Sequence, residues 1–396
     1  MTLRRSISAA LAALMSLAMV FGSSLSASAT PSLPSTTQWT SGGLHEMVRF
    51  SGPLTTSISG SGSTGTTSFI AVNKPAGATV VAAYLTSAVR SSATTYPAPA
   101  VAINNQAVTF THSAELSFSG GKFYNFFADV TTQIKSTVDA AAAGNMLLRV
   151  TEPRNGSYSD EIDGEELVVI FDDPAKASST SSVVIMFGAS RAAGDTFSIG
   201  FPAITDLSTQ SATLSAGISF SNQSSNLTQS STIEIASSSN PTLRTVSVTA
   251  GGSGDTDDSS SLLTVGGIGN STNLPNPASP VLNDDDELYG LNSFLAVGDS
   301  SIDLKTTNTS NDDNFFQAVL VLEGIAVTGA SPLGTQPVSS SPQNNSSPGA
   351  SGSSSSQLAQ TGEPSRLPIA LIGLIFLFAG ISVYSGSVAL KRRATN

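Results

Sequence analysis

Short runs of β-branched and aromatic residues, each closed by Gly, Asn, Asp or Pro, recur through the middle of this chain. They leave little room for a helical fold. Residues 69–72, 79–85, 101–103, 167–171 and 182–187 are of this kind. So are 196–201, 213–220, 232–235, 245–249, 262–265, 301–306 and 316–327. Their length and punctuation suit antiparallel strands. We therefore expect an all-β fold of one or two antiparallel β-sandwich units, jelly-roll-like. One segment departs from the pattern. Residues 131–144 carry Ile134, Val138 and an alanine run, with Asp129 or Thr131 placed to cap and Gly144 to terminate one short helix. No helix–strand alternation appears, which disfavours a doubly wound nucleotide-binding fold.

A polar break at 172–181 suggests a division into a first β-sandwich region, 30–175, and a second, acidic one, 176–328. The alternative at this stage is that 167–171 and 183–187 pair as a hairpin and fuse the halves.

The two ends read as addresses. Met1-Thr2-Leu3-Arg4-Arg5 precedes an apolar run and then Ala27-Ser28-Ala29, the three parts of a secretory signal peptide with Ala27 and Ala29 marking the cleavage site. Residues 1–29 are thus expected to be removed. At the other end, Leu358, Ala359, Gln360, Thr361 and Gly362 are followed by an apolar stretch, 369–388, and by Lys391-Arg392-Arg393. About 20 apolar residues at about 1.5 Å each cross a bilayer as a transmembrane helix, and the basic end stays on the cytoplasmic side. Between fold and motif, 329–357 is built of Ser, Pro, Gly and Asn. It has too few apolar side chains to offset its ordering entropy, so a disordered stalk is expected.

Pentapeptide, apolar span and basic tail in that order resemble the sorting signal of sortase-anchored cell-wall surface proteins of monoderm bacteria. Ala359 stands where proline is usual, which is similar to the Leu-Ala-x-Thr-Gly variant read by class E sortases. That resemblance implies attack by a sortase on the Thr361 carbonyl, departure of Gly362 with the tail, and transfer of the chain to a peptidoglycan precursor. The membrane helix would hold the protein only until sorting. The implied localisation is the wall and surface of a monoderm bacterium, with a single-pass membrane anchor as the alternative.

Charge and composition narrow the functions. Of 396 residues only 11% are charged, none is cysteine, and the net charge is −11. Disulfides, thiolate metal sites and cysteine nucleophiles are excluded. Nucleic acid is a poor partner for a chain with so little clustered Lys and Arg. The two histidines, His45 and His112, sit in no recognisable catalytic motif, and no Gly-x-Ser-x-Gly elbow is present. Each is expected to be solvated or locally bonded. Paired carboxylates alone could hydrolyse a glycoside, but with Trp39 the only tryptophan the chain lacks the usual aromatic platform. No enzymatic activity is expected, and no cofactor is certain.

Acidic residues concentrate between 251 and 328, where twelve of them meet a single base, Lys305. Loops of Asp and Asn can supply oxygen ligands to Ca²⁺. Asp284, Asp285, Asp286 and Glu287, with Asp312, Asp313 and Asn314, form the candidate set. The phrasing from Asp284 to Tyr289, Gly298-Asp299 and 308–314 resembles a group of secreted bacterial β-sandwich proteins with no established activity. Resemblance to the cell-wall class also implies a Lys–Asn amide cross-link, with Lys305 and Asn311 or Asn314 a conceivable pair. Together these readings give a secreted, wall-anchored adhesin or display protein with an unknown extracellular ligand. The alternatives are a wall-anchored hydrolase and a structural coat or minor pilus component.

Overall fold

The computed structural model describes residues 37–40, 43–62, 65–118, 120–153, 160–221, 230–252, 262–273, 287–308 and 311–327. The chain runs through β1 (Thr37–Trp39), β2 (Gly43–Gly52), β3 (Leu54–Gly62), β4 (Thr67–Lys74) and β5 (Thr79–Ser91). Next come β6 (Ala102–Ile103), β7 (Gln106–Ala107), β8 (His112–Phe118), β9 (Gly121–Asp129) and the helix α1 (Thr131–Ala140). Then follow β10 (Gly144–Thr151), β11 (Asp160–Asp172), β12 (Ser181–Ala189), β13 (Asp195–Gly200) and β14 (Ser211–Ser219). The last are β15 (Ser231–Ser237), β16 (Asn240–Ala250), β17 (Thr264–Val265), β18 (Leu288–Gly290), β19 (Ser301–Thr307) and β20 (Asn314–Glu323).

These strands form four sheets: I (β4-β10-β6-β7), II (β1-β8-β9-β5-β11-β3), III (β17-β14-β20-β12-β2, with β18 also on β14) and IV (β13-β19-β15-β16). Pairing is antiparallel except between β1 and β8. Three apolar cores separate the layers. One lies between I and II, a second between II and III, a third between III and IV. The fold is all-β, as expected, with α1 its one described α-helix.

Strand composition follows layer position. The outer strands β4 and β19 alternate buried and exposed positions, because each covers a core with one face. The inner strands read as continuous apolar runs because both faces are buried. Along β11, Leu167, Val169 and Phe171 enter the core under sheet I, whereas Val168 and Ile170 enter the core against sheet III. This is also why 167–171 and 183–187 do not form a hairpin. β11 lies between β3 and β5 in sheet II, and β12 lies between β2 and β20 in sheet III. The connection is held by Asp173, whose carboxylate accepts from Thr55 Oγ1 at 2.6 Å and from Ala175 N at 2.9 Å.

The helix ends at Ala140, four residues before Gly144, which opens β10 at φ +111°. Val130 occupies the N-cap position, and Asp129 accepts from Thr131 N at 2.8 Å. Ile134 and Val138, one turn apart, seat α1 in the core between sheets I and II.

Strand β2 belongs to the expected first region by sequence but hydrogen-bonds along β12 in sheet III. Only Pro53 separates it from β3 in sheet II. Residues from both sides of 175/176 build the middle core.

Among the described residues no helix is long and apolar enough to cross a membrane. The expected span 369–388, the stalk 329–357, the motif Leu358, Ala359, Gln360, Thr361 and Gly362, and the cleavage residues Ala27 and Ala29 all lie outside the described residues.

Candidate functional site

One end of the stack collects buried polar groups. In β11 the register against β5 shifts between Ile162 and Gly164, a bulge that only glycine allows: Gly164 has φ +147°, and a Cβ there would press on the Ser61 carbonyl. The bulge re-aims three carboxylates. Asp163 accepts from Phe220 N at 2.7 Å and from Leu262 N at 2.8 Å, tying sheet II to the ends of two segments beside sheet III. Glu165 faces the core under sheet I and accepts from Ser87 Oγ at 3.2 Å. Burial pushes its carboxyl well above the usual carboxylate range, and Asp163 pushes the same way. Glu166 faces sheet III, where a Cβ on Gly217 would strike its Oε2.

Two amides close the same end. Asn125 of β9 donates to Asn314 Oδ1 at 2.9 Å and to the Gly188 carbonyl at 2.7 Å. Asn314 of β20 donates back to Asn125 Oδ1 at 2.7 Å and to Ser219 Oγ at 2.8 Å. Thr86 Oγ1 donates to Gln317 Oε1 beside them. These contacts join sheets II and III through fully buried side chains.

Of the candidate calcium ligands, Asp284, Asp285 and Asp286 lie outside the described residues. Glu287 is buried, accepting from Gly251 N at 2.7 Å and from Tyr289 OH at 2.5 Å. Asp313 is buried between sheets III and IV, its Oδ2 accepting from Ser231 Oγ at 3.2 Å. Burial first, then the charge of Asp312 and, more weakly, of Glu287, push the Asp313 carboxyl up to about 7. Glu287 and Asp313 are thus near enough for their charges to interact. Oδ1 of Asp312 and Oδ1 of Asp313 are buried with no hydrogen-bond partner. Asn314 is committed to Asn125 and Ser219. Among the described residues no three His, Cys, Asp or Glu side chains are grouped as a metal site.

The two histidines come together on one ring. His45 of β2 and His112 of β8 both stack on Trp39 of β1, with ring centroids 4.4 Å and 5.9 Å away. His112 is buried, with Nδ1 2.9 Å from Thr111 Oγ1. His45 Nε2 is buried and unpartnered. Burial lowers its pKa, against the opposing pull of Asp195. Lys305 Nζ lies 3.4 Å from Glu234 Oε2, while the Asn314 amide is held by Asn125, so these contacts do not pair Lys305 with Asn314.

At the end of the seam carrying Val321 and Glu323, sheets II and III open into a cleft of about 380 Å³. Ser211, Thr213 and Ser215 occupy alternate positions of β14, so one face of that strand presents three hydroxyls. Thr56 and Ser57 of β3 line the facing wall. Ser and Thr are so common in this chain that none of the five carried a sequence signal.

No family model matches the chain, and no curated protein matches it. Among solved structures it is similar to a β-porphyranase of glycoside hydrolase family 86 from the human gut bacterium Bacteroides plebeius. The identity is 11%, with a TM-score of 0.20, over 67% of this chain and 36% of that one. So slight a likeness carries no argument about activity.

Proposed function

We propose that the chain is a secreted surface protein, anchored to the bacterial wall by a class E type sortase, that displays a ligand-binding β-sandwich stack. The observation that carries this reading is the order of parts after β20: a Ser/Pro-rich segment, Leu358-Ala359-Gln360-Thr361-Gly362, an apolar stretch and a basic end. A stalk of about 28 residues spans on the order of 30 Å as a coil and up to roughly 90 Å extended, enough to lift the stack away from the membrane.

Binding is favoured over hydrolysis. Glu165, Glu166 and Asp313 are buried between sheets, and among the described residues the cleft is lined by one carboxylate, Glu323, which pairs with Lys176 at 3.1 Å. Two-carboxylate chemistry needs a second acid facing the same bond. Ca²⁺ is a further part of the proposal, held through the unpartnered oxygens of Asp312 and Asp313.

The test is fractionation of the bacterium carrying native protein or Thr361→Ala. Native protein should leave the wall only after muralytic digestion, and the variant should stay with the membrane. Native protein extracted by detergent alone would overturn wall anchoring.

A further inference from the structure

We infer that the cleft between sheets II and III binds an uncharged saccharide; this rests on the ligand-display reading and names its ligand class. The first support is an unsatisfied group. Ser215 is 1% exposed, lines the cleft, and its Oγ has no hydrogen-bond partner. A buried hydroxyl left without a partner is costly unless something outside the protein completes it.

The rest of the lining selects among ligands. Among the described residues no Lys, Arg or His lines the cleft, and the carboxylate of Glu323, already paired with Lys176, stands at one side, so phosphates, sulfates and acidic sugars meet no free counter-charge in that lining. Among the described residues no aromatic side chain lines it either, which removes a platform for flat rings. Ile58, Ile268, Leu288 and Val321 instead supply aliphatic patches beside the hydroxyls. A sugar ring has that same amphipathic character, C–H faces with a rim of hydroxyl groups.

An extended peptide is the obvious competitor, because sheet edges capture strands. Here the β14 edge is covered and the β3 edge is engaged at Ile58. Ile58 O accepts from Ile268 N at 2.9 Å, and β14 is covered by β17 and β18. Gly267 makes the first of these contacts possible, since a Cβ there would strike the Ile58 carbonyl. Apart from Asn73 and Glu323, side-chain hydroxyls are the polar side chains this lining offers, and those match hydroxyl ligands.

The experiment screens the full-length chain, purified in a zwitterionic detergent, against immobilised neutral and acidic oligosaccharides, with binding then measured by calorimetry. A neutral saccharide should bind. Thr213→Arg, which fills the cleft, should weaken that binding by at least about tenfold without lowering the melting temperature. Ser215→Ala should also weaken it while leaving stability equal or higher, a split that a structural role for the hydroxyl would not give. Absence of any neutral ligand, preference for acidic sugars, or binding indifferent to both variants overturns the inference. Cells that still adhere to a surface while carrying Thr213→Arg would overturn the cleft and leave surface display standing. Loss of wall anchoring with saccharide binding intact would do the reverse.

Discussion

Trp39 lies face to face with His45, the ring planes 12° from parallel. His112 lies at 19° to the same indole, so both imidazoles of the chain report on its one tryptophan. A neutral imidazole leaves indole emission largely intact, and a protonated one quenches it. Because burial lowers the pKa of His45, emission should hold through pH 6.5 and fall only in more acidic solution. His45→Gln should flatten that fall. A quenching midpoint above 6.5 would contradict the burial of this ring.

Stability should depend on pH from two sides. His45, with its pKa depressed, contributes stability that is present above 6.5 and is lost as pH falls through that value toward the folded one. Asp313, with its pKa raised from 3.8 to about 7, contributes stability that is full below 3.8 and is lost as pH rises through about 7. Melting temperature should therefore decline between pH 5.5 and pH 8, by about 5 °C for a shift of this size in a chain this long. Asp313→Asn should remove part of that decline in a calorimetric scan, the remainder following Glu165, whose carboxyl is also raised by burial.

Under the proposed Ca²⁺ site, the cation would compete with the proton at Asp313. In the affinity range of extracellular modules, about 10 mM Ca²⁺ should raise the melting temperature at pH 7.5 by a few degrees. The Asp313→Asn variant should not respond. Native melting curves that ignore both Ca²⁺ and chelator would remove the cation from the proposal.

The reciprocal amides of Asn125 and Asn314 should show strong coupling. Replacing either by leucine strands the other in a dry seam and should cost about 2–3 kcal/mol. The double variant should cost clearly less than the two singles together. Urea melts of the four forms measure the difference, and strict additivity would show that the pair acts as two separate contacts.

What the sequence disclosed depended on where each strand sits. Leu167 to Phe171 and Val183 to Phe187 announce themselves because strands buried on both faces need apolar residues at every position. In β3, Ser57, Ser59, Gly60, Ser61 and Gly62 hide the strand pattern, although six of its nine residues are buried. β8 and β9 were missed for a related reason: their aromatics and small polar residues make no β-branched run. The site was less legible than the fold. Glu165-Glu166 beside a glycine reads as a surface turn, and only the bulge at Gly164 explains how both acids face inward. The cleft hydroxyls are indistinguishable by type from dozens of exposed ones. The stacking of Trp39 with both histidines joins residues from three strands, which no local pattern encodes.

The position of β20 has a mechanical consequence. It is the last described strand before the C-terminal segments, and it runs between β12 and β14 in the middle of sheet III, antiparallel to both. A pull on its C-terminal end, such as drag on a bound particle working against a fixed tail, acts along the strand axis. Both hydrogen-bond ladders are then sheared together instead of being unzipped one bond at a time. The strand nearest the tether is thus clamped on both sides, and the stack should resist tension best in the direction in which a wall-fixed protein would be loaded.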